Sequence, residues 1–119
     1  MNRRELEKKL SPISAELLKE KGYICFIDVF IRLGYLSNKD VESWRRKQIP
    51  HLEKAIRVNL SKIGTIINVV AENCRNGGLR ESHTAYKSWG KGQKIDLQFS
   101  KSGVEHLEVL YSTHWLRKK

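Results

Sequence analysis

The 119-residue sequence predicts a mainly helical α+β domain: four or five helices, a long central helix over about 51–76, and one β-hairpin over about 84–100. Three observations predict it. Leu52, Ile56, Leu60, Ile63, Ile67, Val70 and Cys74 recur every three or four residues, the period of one helical face. Ile95, Leu97 and Phe99 alternate with Asp96, Gln98 and Ser100, the period of a strand buried on one side. Helix start and stop residues divide the rest of the chain into short segments. A chain of this length is expected to form one domain over 1–119, with a helical part at 1–76 and the hairpin with a short helix at 80–112.

In chain order, residues 2–10 read as helix with Leu6 and Leu10 on one face. Ser11 can cap a fresh start and Pro12 suits a first helical position, so the stretch ending at Gly22 is one kinked helix or two short ones. "YICFIDVFIRL" (23–33) is apolar nearly all round. It reads as a core helix stopped by Gly34, with Asp28 and Arg32 placed to pair, and a buried strand is the alternative because so many of its residues are β-branched. Ser37 or Asn38 caps the next helix, whose Val41 and Trp44 face inward and whose end at Pro50 is rich in Arg and Lys. The long helix then runs to the glycines of "CRNGG". "TAYKSW", "GKGQ" and "KIDLQFS" form the hairpin, whose second strand faces the core through Ile95, Leu97 and Phe99. Ser102 and Glu105 have capping-box spacing, and the helix they open carries Val104, Leu107 and Leu110 or Tyr111 inward. "HWLRKK" reads as a basic, mobile end.

Net charge is the strongest global signal. Twenty-three lysines and arginines against 13 acids give +10, with most of the excess in residues 42–119. Such a surface suits a polyanion: nucleic acid, DNA more than RNA, or an acidic protein. No apolar run approaches the ~18–20 residues of a membrane span. "MNRRELEKKL" lacks the apolar core of a secretion signal, so a cytoplasmic protein with Cys25 and Cys74 as reduced, buried thiols is expected. No metal site is expected, because neither the cysteines nor His51, His83, His106 and His114 have ligand spacing. No cofactor is expected either, since no phosphate-cradling glycine loop is present. Asp96 beside Lys94 and Lys101 is the one nuclease-like pairing, and it lacks a second carboxylate, so no enzyme is expected.

The segment "FIDVFIRLGYLSNKDVESWRRK" resembles a helix-turn-helix, with a longer turn and with Phe30 where a small residue is usual. The resemblance implies that Ser43, Arg45, Arg46, Lys47 and Gln48 face duplex DNA. The later hairpin resembles the wing of winged-helix domains, which implies backbone contacts from its tip lysines. "TAYKSWGKG" followed by "FSKSG" resembles small bacterial proteins of uncharacterised function, which implies no activity. Apart from the resemblance, Lys54 and Arg57 extend the basic run, while Lys87, Lys91 and Lys94 are spaced to follow phosphates as Trp89 or Tyr86 stacks on a base. A nucleic-acid binder should gather these side chains on one face. A protein-interaction module, the alternative, should show an exposed apolar patch.

Overall fold

In the computed structural model, residues 2–117 are described. They form a mainly helical α+β domain of five α-helices and a three-stranded antiparallel sheet. Helix α1 (Arg3–Lys21) is continuous through Pro12, buries Leu6, Leu10 and Leu17, and is capped by the Asn2 side chain rather than restarted at Ser11. Gly22, at φ 80°, closes α1 by donating its N–H to the Leu18 carbonyl, a turn that only glycine makes without strain.

Both readings of 23–33 hold in part. Tyr23–Cys25 is strand β1, and helix α2 (Phe26–Arg32) begins immediately after it. Asp28 and Arg32 do not pair with each other. Asp28 accepts from Lys21 at 2.8 Å, and Arg32 reaches back to Glu16 and Glu20 on α1. Helix α3 (Asn38–Arg45) has Ser37 as its N-cap, in a capping box closed by the Asp40 carboxylate. Trp44 is its fully buried residue, while Val41 is half-buried against the core.

The central helix is shorter than its stripe predicts. Helix α4 spans Leu60–Asn76, and Leu52 and Ile56 sit on a 3₁₀ turn (Leu52–Lys54) and the linker after it. Both residues are buried, so the apolar period is real, but the backbone there has other partners. The Leu52 and Glu53 N–H groups donate to the Gln98 and Phe99 carbonyls, and the Arg57 N–H donates to the Tyr35 carbonyl. Asn59 then caps α4 by accepting from the Lys62 N–H at 2.8 Å. Tertiary hydrogen bonds and a cap residue override the helical period across this junction.

The sheet is the element least visible in the sequence. Strands β1, β3 (Thr113–Leu116) and β2 (Arg80–His83) lie in the order β1-β3-β2, all antiparallel, with Ile24 opposite Trp115 and Ser82 opposite His114. The stretch read as a mobile basic end therefore supplies the central strand as far as Leu116, with Thr113 and Trp115 buried; Lys118 and Lys119 lie outside the described residues. Helix α5 (Glu105–Ser112) leads straight into β3. Its N-cap is Val104, not the expected Ser102–Glu105 box, and Val104 and Leu107 are exposed rather than inward.

The hairpin is reduced to a loop with one bridge, Lys87 to Asp96, flanked by hydrogen bonds from Ser88 N–H to Ile95 O and from Leu97 N–H to Tyr86 O. Its first arm alternates cleanly: Tyr86 and Ser88 are buried, Lys87 and Trp89 exposed. On the second arm Phe99 is buried but Ile95 is 47% exposed, against expectation. Phe99 is the hub beneath the loop. Its ring lies 4.9 Å from Trp44, 5.2 Å from Tyr86 and 5.5 Å from Tyr111, so α3, the loop and α5 meet on one side chain.

Candidate nucleic-acid interface

The end of α3 and the 86–96 loop, far apart in sequence, are tied together by one residue. Arg45 donates from its guanidinium to the Lys87 carbonyl at 2.7 Å, and its own carbonyl accepts from the Trp89 N–H at 2.6 Å. The guanidinium lies over the Tyr86 ring (4.7 Å) and the Trp89 ring (5.4 Å). Burial lowers its proton affinity, and the neighbouring Tyr86 opposes that. Arg remains charged at any biological pH, so its fork holds the loop against α3 without titrating.

The loop turns through Gly90 and Gly92, at φ 108° and 95°, and the Lys94 ammonium closes it by donating to the Gly90 carbonyl at 2.8 Å. Lys87 pairs with the exposed Asp96 carboxylate. Trp89 is left 47% exposed at the tip, with Lys91 exposed beside it. Trp44, from the same α3 corner, is fully buried with its indole N–H on the Gln98 carbonyl at 2.8 Å.

The remaining predicted residues fall into two groups. Arg46, Lys47 and Gln48 are exposed just past α3, adjoining Arg45, and Arg46 pairs with Glu42 at 3.2 Å. Lys47 holds a left-handed backbone (φ 64°), the one non-glycine residue to do so among the described residues. Gln48, Lys54 and Arg57 line a common shallow hollow with Asp40, whose carboxylate Arg57 meets at 3.1 Å. Ser43 is half-buried, and its carbonyl accepts from the Gln48 N–H. The exposed face of α3 carries Lys39 and Glu42, with Arg46 at its C-cap, a mixture of signs.

Catalytic candidates are occupied elsewhere. His83, Asp96 and Glu105 do line one open hollow of about 380 Å³, and two of its three acids, Asp96 and Glu108, have structural partners. Asp96 pairs with Lys87, and Glu108 accepts from the Phe99 and Ser100 N–H groups and the Ser100 hydroxyl at 2.7–2.8 Å. Cys25 and Cys74 are free, buried thiols, each pushed up to about 12 chiefly by burial, so neither presents a thiolate nucleophile. Among the described residues no group of three or more His, Cys, Asp or Glu is placed to hold a metal ion, and no helix is long and apolar enough to cross a membrane.

Sequence reasoning missed a second surface. An apolar groove of about 690 Å³ runs between α4 and α5, lined by Leu60, Ile63, Ile67, Leu107, Leu110 and Tyr111. Lys101 and His106 stand at its polar margin, and Glu53 there is held by the Tyr111 hydroxyl (2.5 Å) and the Lys101 N–H (2.8 Å). The signal was present in Leu60, Val104 and Leu107, which read as core-facing and are exposed.

Fold and site together define a small, mainly helical α+β domain with a lysine- and arginine-bearing corner around an exposed tryptophan and, apart from it, an apolar groove. No family model, curated protein or solved structure matches the chain.

Proposed function

We propose that this protein is a non-enzymatic nucleic-acid-binding domain that holds the phosphate backbone with the corner formed by α3 and the 86–96 loop. The observation that carries the reading is the Arg45 clamp, which joins the end of α3, where Arg46 and Lys47 are exposed, to the loop that carries Lys87, Lys91, Lys94 and the exposed Trp89. Lysines and arginines grouped in this way release counterions from a polyphosphate chain and bind with steep salt dependence. Duplex DNA was the expected target through insertion of α3, but the geometry favours backbone contact. Arg45 is turned onto Tyr86 and Trp89, Ser43 is half-buried, and the free face of α3 includes Glu42. Fluorescence anisotropy with labelled duplex and single-stranded oligonucleotides across a salt series tests the reading. Binding at ~50 mM salt that falls steeply toward 200 mM is expected, and no binding at ~50 mM sinks it.

The groove between α4 and α5 favours a second reading, a protein-interaction module. Its apolar floor and its Lys101 and His106 margin, on a chain of net charge +10, suit an amphipathic helix bearing carboxylates. Leu107→Asp should abolish capture of such a peptide while leaving oligonucleotide binding unchanged. Loss of both together would count against two separate surfaces.

A further inference from the structure

We infer that the nucleic acid this corner takes is single-stranded, and that Trp89 is the platform on which an unpaired base stacks. The inference rests on the nucleic-acid reading above and deepens it.

The first argument is the exposure of Trp89 in a protein that buries its other tryptophans. Trp44 and Trp115 are 0% and 1% exposed, while Trp89 is 47% exposed. Burying an aromatic side chain stabilises a fold, so leaving half of one in water forgoes part of that gain.

The second argument is rigidity. A residue on a floppy loop loses backbone freedom when a ligand binds, whereas the backbone that carries this indole is fixed beforehand. The backbone N–H of Trp89 is held by the Arg45 carbonyl, and the residue before it, Ser88, is 2% exposed and bonded through both its backbone N–H and its hydroxyl to Ile95. The next residue, Gly90, turns the chain away at φ 108° and has its carbonyl tied to Lys94. Pre-organisation of this kind lowers the cost of stacking.

The third argument is electronic and geometric. The Arg45 guanidinium lies 5.4 Å from the Trp89 ring centroid, where it supports the indole and draws on its π density. Lys87 and Lys91 lie within two residues on either side, the arrangement that lets a backbone run past while one base folds onto the ring. In a paired duplex the base faces are already stacked on one another, so an indole presented this way has no partner there. A single strand offers both the phosphates and a free π face.

The test uses the full chain, a dT 15-mer, an rU 15-mer, an abasic 15-mer with the same backbone, and a 15-base-pair duplex, at fixed salt. Because Trp44 and Trp115 are buried, Trp89 is the indole that bound bases can quench, and Trp89→Phe identifies its share of the emission. The expectation is that dT or rU quenches this emission and binds about fivefold or more tightly than the abasic strand. Trp89→Ala should abolish that preference, Trp89→Phe should restore part of it, and the slope of log K against log salt should stay the same in both. Equal binding of the dT, rU and abasic strands, or tighter binding of the duplex, overturns the inference and leaves backbone binding standing. No binding of any strand at ~50 mM salt overturns the function itself.

Discussion

The same short segment, residues 86–100, builds two opposite surfaces. Its inner side is aromatic and dry: Tyr86 and Phe99 pack with Trp44 and Tyr111, and each polar atom of Ser100 has a partner. Its outer side is aromatic and wet: Trp89 with Lys87, Lys91 and Lys94 around two glycine turns. Both sides use aromatic rings. The difference is that the inner rings find each other, whereas the outer ring finds only a cation. Stability belongs to the inner side and, in our reading, function to the outer, so substitutions on the two should separate cleanly.

The largest effect is expected at the hub. Phe99→Ala removes the ring shared by three elements, and a large-to-small change in a packed core costs ~3–5 kcal/mol. Urea denaturation should show a midpoint shifted by most of the protein's stability, or no folded baseline at all. A loss below ~1 kcal/mol would mean that the loop and α5 do not fold cooperatively with α3. Next is Glu108→Ala, which leaves the Phe99 and Ser100 N–H groups without their acceptor. Hydrogen bonds to a charged partner contribute ~1.5–3 kcal/mol, and a loss of about 2 kcal/mol is expected by the same measurement.

These two sites show what was legible. Phe99 as an inward residue followed from alternation with Asp96 and Gln98, and the helical fold class followed from period and caps. The duty of Glu108 did not, because a carboxylate binding backbone N–H groups nine residues upstream leaves no sequence pattern. The sheet was illegible for a related reason. Strand β2 is "RESH", three of whose four residues are exposed, so it shows no apolar alternation. Strand β3 alternates, but over four residues at the edge of a basic run. Within the site, the basic residues were legible as composition. The clamp that unites them was not, since Arg45 reads as one more surface cation until its contacts with Lys87, Tyr86 and Trp89 are seen.

A smaller effect is expected from pH, at the junction of the loop with the sheet. His114 on β3 lies 2.8 Å from the Tyr86 hydroxyl and stacks on Tyr23 at 5.2 Å. Burial lowers its proton affinity below that of a free imidazole, partly offset by the charge of Asp28. The unfolded chain therefore binds this proton more readily than the folded one. The stabilisation is complete above the ordinary histidine range near 6.5 and is lost as pH falls through the lower folded value. The melting temperature should drop between pH 7.5 and 5.5, and His114→Phe should shrink that drop. A melting temperature insensitive to pH over this interval, or an undiminished drop in the variant, would contradict the assignment.

The smallest stability effect is expected on the outer side, at Lys47. This residue follows the end of α3 in a left-handed conformation, where most sequences place glycine. A side chain there costs roughly 1 kcal/mol, while glycine brings extra unfolded-state entropy of similar size. Lys47→Gly should therefore change stability by between about 0 and +1 kcal/mol in the stabilising direction. On the proposed nucleic-acid reading, the exposed Lys47, next to Arg46 in the chain, contributes one phosphate contact. The variant should bind a dT 15-mer more weakly, with the slope of log K against log salt reduced by ~0.7, one phosphate contact on a single strand. If Lys47→Gly gains stability and keeps the full slope, Lys47 lies outside the footprint, and the binding face narrows to the loop that Arg45 holds.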